Sequence, residues 1–161
     1  LVLLGALSLW GLRGVPADPA KSAFVASFTL FALGGVLGYM IHGVNVVMPA
    51  HYHGSTVGVT LAFMGLAYVL LPHLGFQPAA GRMALWQPYV YGFGQLVHVL
   101  GLAWSGGYGV QRKVAGAEQL LTTLPQKIGM GMMGLGGLIA IIGGLMFVVV
   151  CLKAMSRRTP G

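Results

Sequence analysis

Residues 49–56 read Pro49-Ala50-His51-Tyr52-His53-Gly54-Ser55-Thr56, and they open an apolar stretch with no charged side chain before Arg82. About 20 apolar residues suffice to cross the hydrocarbon core of a bilayer, and a helix is a backbone form that satisfies its own polar groups there. On a helix each residue advances about 100°, so imidazoles at 51 and 53 point about 200° apart. One short segment therefore offers a ligand to each of two objects on opposite faces. Ionisable groups in such a place are costly and mark function.

The rest of the chain is of the same kind. Of its 161 residues, 57% are hydrophobic and 7% charged, with a mean hydropathy of +0.83. A soluble domain would need far more charge to cover its surface. The expected fold is all-α, a polytopic transmembrane helical bundle forming a single membrane domain over 1–161. It should hold a partial helix at 1–12, read as the end of an earlier helix, and four full membrane helices at 22–42, 52–72, 86–105 and 127–151. Pro49 marks the start of the second, Pro72 closes it, and Pro88 falls in the first turn of the third, where proline is tolerated. Gly129, Gly131, Gly134, Gly136, Gly137, Gly143 and Gly144 crowd the fourth, and such small residues let helices approach closely in lipid.

The net charge of +7 does not indicate nucleic acid, because the basic residues are scattered over short loops and the tail. They read as topology signals. Arg13, Lys21, Arg82, Lys153, Arg157 and Arg158 gather on one side, expected to be cytoplasmic, and Arg112 and Lys113 lie on the other with Lys127 at its border. The His51 end of its helix and the Arg112 loop then face outward together. The longest and most polar loop, 106–126, also carries Glu118 and Gln119. Cys151 is the single cysteine, so no internal disulfide forms and no Cys-x-x-Cys-His site for covalent haem exists.

A His-x-His pair at a helix end can be two interfacial imidazoles bound to lipid headgroups. The long uncharged span beside this pair favours ligands instead. Neutral imidazole is an axial ligand of haem iron, so the natural reading is two haems held side by side by one helix. Ligating histidines pass their other nitrogen to a carbonyl or a carboxylate. Asp18 and Glu118 are the only acids, which leaves that task to carbonyls or to another chain. His73, beside Pro72, reads as interfacial. His98, inside the third span, reads as a hydrogen-bonding partner of a neighbouring helix rather than a ligand. Tyr39, Tyr68, Tyr89, Tyr91, Trp86 and Trp104 form an aromatic belt, and Met130, Met132 and Met133 fill space.

Pro49-Ala-His51-Tyr52-His53, followed by Val59-Thr-Leu-Ala-Phe-Met-Gly-Leu-Ala-Tyr68-Val-Leu-Leu-Pro-His-Leu-Gly75, resembles the tenth helix of subunit I of the haem–copper oxidases. Gly109-Val-Gln-Arg112-Lys113 resembles the Gly-x-Pro-Arg-Arg loop between that family's eleventh and twelfth helices. The likeness covers about residues 22–151, the C-terminal part of the subunit, about helices nine to twelve.

The resemblance implies that His51 is the axial ligand of the high-spin haem and His53 one of two axial ligands of the low-spin haem. Tyr52 would lie between the haems, and Arg112 and Lys113 would pair with haem propionates. His42 is the weakest correspondence. The family has His-Asp or His-Asn eight positions before the first haem ligand, near a propionate and a magnesium ion. Here His42 stands nine before His51 and is followed by Gly43, so the carboxylate is missing and a hydrogen bond to the site's surroundings replaces a metal contact, with Asn45 as a substitute oxygen donor.

The copper ligands and the opposing low-spin haem ligand belong, in that family, to earlier helices that these residues do not include. The expected partners are therefore a membrane chain carrying those helices and the copper ligands, a subunit II-like electron-accepting chain, and the bilayer, most simply a prokaryotic plasma membrane. The implied activity is electron transfer from low-spin to high-spin haem for reduction of O2 to water, with proton pumping. A nitric oxide reductase-type core and a haem-free structural or assembly subunit are the alternatives.

Overall fold

The computed structural model describes residues 2–114 and 120–156. Glu118 and Gln119 of the polar loop, and Arg157 and Arg158 of the tail, lie outside the described residues. Among the described residues five helices follow one another: α1 (Val2–Gly11), α2 (Pro19–Tyr39), α3 (Val47–His73), α4 (Gly81–Gly107) and α5 (Leu124–Met155).

Their ends follow from local chemistry. Asp18 caps α2, accepting from the backbone N–H groups of Ala20 at 2.8 Å and Lys21 at 3.0 Å, with Pro19 in the first helical position. The Lys21 ammonium reaches back to the Leu12 carbonyl at 2.9 Å and also donates to that of Val15, tying down the break after α1. Thr123 and Gln126 form a reciprocal capping box at the start of α5, which satisfies two otherwise orphaned donors. Pro72 lies in the last turn of α3, and Gly75, at φ 81°, takes the left-handed turn that follows, a conformation open to glycine at no steric cost.

The chain is a multi-pass membrane helical bundle, with one correction to the expected count. Among the described residues three helices, not four, are long and apolar enough to cross a membrane: α2, α3 and α5. The expected span at 86–105 is the one that does not qualify. It lies within α4, which is as long as α3 at 27 residues but is diluted by Arg82, Gln87, Gln95, His98, Ser105 and several glycines. Part of this polarity is turned inward, since Gln87 and Ser105 are fully buried. Gln87 accepts from the Tyr68 hydroxyl at 2.8 Å and donates to the Gly143 carbonyl at 3.1 Å.

Helix α4 packs chiefly along α5, and α2 along α3. Both seams are meshed at backbone level. A Cβ on Gly54 of α3 would sit 2.8 Å from the Gly34 Cα of α2, and one on Gly101 of α4 would sit 2.5 Å from the Met133 backbone N of α5. The glycines of α5 divide accordingly. Gly129, Gly136 and Gly143 face α4, while at Gly131 and Gly134 a Cβ would meet none of the described residues within 4 Å. Gly34 and Gly38 of α2 lie against Gly54, Ser55 and His51 of α3.

Candidate functional site

The His-x-His segment lies in the first turns of α3, where the loop after α4 is fastened to it. The Val46 N–H donates to the Val110 carbonyl at 3.0 Å, and Asn45 and Gln111 form an isolated antiparallel bridge. Beneath this clip Leu37, Val46, Ala50, Val99, Leu102 and Val110 make a buried cluster. The basic loop and the histidine end of α3 are therefore one corner of the bundle.

Helix geometry sends the two imidazoles apart. His51 turns to α2, its Nδ1 donating to the Gly34 carbonyl at 2.7 Å. A carbonyl only accepts, so the proton resides on Nδ1 and the lone pair of the neutral ring on Nε2. His53 is exposed and turns to α4, with its ring centroid 4.9 Å from that of His98. His98 in turn donates from Nδ1 to the Met133 carbonyl of α5 at 2.9 Å. The pairing of His53 with His98 is a feature that sequence reading missed, because their residues are far apart in the chain and meet only through the α3–α4 register.

Tyr52, 58% exposed, lies 5.2 Å from the His51 ring, centroid to centroid. Together with Pro49, Arg112, Lys113, Met130 and Met133 it lines a hollow of about 430 Å³. Arg112 donates from Nη1 to the Met48 sulfur, and its buried Nε has no hydrogen-bond partner among the described residues. Such a guanidinium retains donors for an anion. Lys113 sits at φ 62°, a strained setting for a residue with a Cβ.

His42 does not join this group. It is exposed on the turn before α3, with Nδ1 3.1 Å from the Met40 carbonyl. The Asn45 oxygen, expected as a substitute donor, accepts from the Val47 N–H at 3.0 Å, while its amide donates to the His42 carbonyl at 3.0 Å. That side chain builds the turn. His73 is in the last turn of α3, at the far end, with Nδ1 2.9 Å from the Val69 carbonyl.

Among the described residues no three or more His, Cys, Asp or Glu side chains gather as a metal cage. The donors present suit a metal that brings most of its own ligands and takes one imidazole at a time, as haem iron does. The carbonyl behind His51 is the usual outer partner of such a histidine.

No family model matches the chain. It is 43% identical over 146 residues to an uncharacterized protein of Rickettsia prowazekii, covering 84% of this chain and 28% of that protein. It is 31% identical over 172 aligned positions to a cytochrome c oxidase subunit 1 of Thermus thermophilus, covering 97% of this chain and 30% of that protein. The chain thus spans less than a third of the length of the first relatives it matches. Another cytochrome c oxidase subunit 1 sequence of Thermus thermophilus is 34% identical over 100 residues, which is 60% of this chain and 85% of that sequence. With that sequence matched over nearly its whole length, the chain belongs to the cytochrome c oxidase subunit 1 family.

Proposed function

We propose that this chain supplies the histidine helix and the basic loop of the haem-binding core of a respiratory terminal oxidase. The observation that carries the reading is the 2.7 Å bond from His51 Nδ1 to the Gly34 carbonyl, which leaves Nε2 as a fixed ligand atom. His51 serves the high-spin haem and His53 the low-spin haem, with Tyr52 between them. Arg112 and Lys113 hold propionates, and the buried Arg112 Nε, with no hydrogen-bond partner among the described residues, can donate to such a carboxylate. His42 contributes at most to the surroundings of that carboxylate.

When bound, the haems supply the redox-active iron through which electrons reach O2 and reduce it to water. The chain's own residues ligate, orient and neutralise. Copper and the opposing low-spin ligand come from the family's earlier helices, and electrons from a subunit II-like chain. By the placement of basic residues, the His51/His53 corner faces outward from a prokaryotic plasma membrane.

The test is optical. In the complex purified from membranes, His53→Ala should remove the reduced-minus-oxidised band of the low-spin haem, and His51→Ala should disturb the high-spin centre. Two variants with wild-type spectra overturn the ligand assignment. An unmodified complex without haem bands makes the chain a haem-free scaffold.

A further inference from the structure

His98 has no part in the function proposed above. It sits on α4 with its backbone against Gly136 of α5, and Gly137 lies beside its Nδ1. Its bond to the Met133 carbonyl places the ring proton on Nδ1. The lone pair is then on Nε2, an acceptor with no proton of its own. Val99, next in the chain, is fully buried. His98 is thus a half-buried imidazole of defined tautomer on a closely meshed helix pair.

We propose that His98 is the positioning residue of His53, its Nε2 accepting a hydrogen bond from the protonated ring nitrogen of His53. This inference rests on the reading of His53 as a haem ligand. A histidine that ligates through one nitrogen needs an acceptor for the other. His51 has the Gly34 carbonyl. For His53, Asp18 is the one carboxylate among the described residues, and it is engaged at the α2 cap. The His98 ring is the polar neighbour in reach. Two imidazoles joined by an N–H···N bond have centroids about 5 Å apart, roughly a ring radius on either side of a nitrogen separation near 2.9 Å. The rings stand 4.9 Å apart with planes at 33°, in contact side by side, and a rotation of the exposed His53 side chain on binding its iron would bring its N–H onto the His98 nitrogen. The chain Met133 carbonyl, His98, His53 would fix the plane in which His53 presents its ligand atom and would make that ligand more basic.

The test uses the purified oxidase complex. His98→Phe keeps a ring of similar size and removes the acceptor. Its low-spin haem should show shifted electron paramagnetic resonance g-values, which report the orientation of the axial imidazole planes. Its midpoint potential should rise, because a less basic ligand stabilises ferric iron less. His98→Gln, which restores an acceptor, should move both values back toward wild type. A Phe variant with wild-type g-values and midpoint overturns the proposal, and His98 is then only a tie between α4 and α5, whatever happens to thermal stability. Pulsed resonance on the unmutated complex gives a second measurement. A remote His53 nitrogen with the quadrupole coupling of a hydrogen-bonded imidazole supports the proposal, and one with that of a free N–H overturns it. A His53→Ala complex with an intact low-spin haem refutes the underlying ligand reading instead, so the two failures are distinct.

Discussion

Gly38 leaves the space that the His51 imidazole fills: a methyl on that glycine would stand 3.0 Å from Nδ1 and 3.1 Å from Cε1. One turn earlier, Gly34 brings α2 so close to α3 that its carbonyl reaches the same nitrogen at 2.7 Å. Two glycines on one helix thus set both the position and the tautomer of a side chain on another.

Enlarging Gly38 should therefore act on His51 selectively. Gly38→Val is expected to displace the ring, to cost about 1–3 kcal/mol of stability as overpacking does, and to alter the high-spin spectrum while the low-spin band survives. Absorbance and thermal unfolding of the complex check this. Loss of both haem signals in equal measure would show general unfolding instead.

On α5 the glycines should separate by face. Gly136→Ala drives a methyl into the backbone of His98 and should destabilise the α4–α5 pair. Gly131→Ala meets open space and should be neutral or stabilising by up to about 1 kcal/mol, the helix propensity gained. Melting temperatures of the two variants in one detergent decide it, and equal values would refute the seam.

Tyr68 and Gln87 should be energetically coupled. Tyr68→Phe strips a hydrogen bond from the fully buried Gln87 oxygen and should cost about 1–3 kcal/mol, the penalty of an unsatisfied buried acceptor. Gln87→Leu orphans the hydroxyl in its turn. The double variant should lose clearly less than the two single losses combined, the non-additivity expected of contacting residues. Strict additivity would mean that the 2.8 Å contact contributes nothing.

Replacing Arg112 and Lys113 together by Ala should leave haem bound and lower the midpoint potential of one haem, because removing nearby positive charge disfavours adding an electron. A redox titration measures the shift. No shift would return the pair to an ordinary solvated loop.

The divergence of His51 and His53 was legible in the sequence because it follows from helix geometry alone. The meeting of the basic loop with the histidine end was legible in outline, from the alternation of loop sides. The number of spans was not. A polar residue dilutes an apolar window equally whether it faces lipid or a neighbouring helix, and Gln87 and Ser105 do the latter. The contact between His53 and His98 was hidden because it depends on how two helices slide along each other. The glycines carried a usable signal: 94 and 101 on α4, and 129, 136 and 143 on α5, recur every seventh residue, the period of a continuous helix–helix seam. Gly131 and Gly134 fall outside that period and outside the contact.

The backbone-level mesh of α4 and α5 also has a mechanical meaning. Where Gly101 and Gly136 bring two helices together, no layer of rotamers stands between them to absorb a displacement. The pair is stiff along its length, like two rods keyed together. A displacement of α5 at this seam is therefore expected to meet the His98 backbone directly, through Gly136.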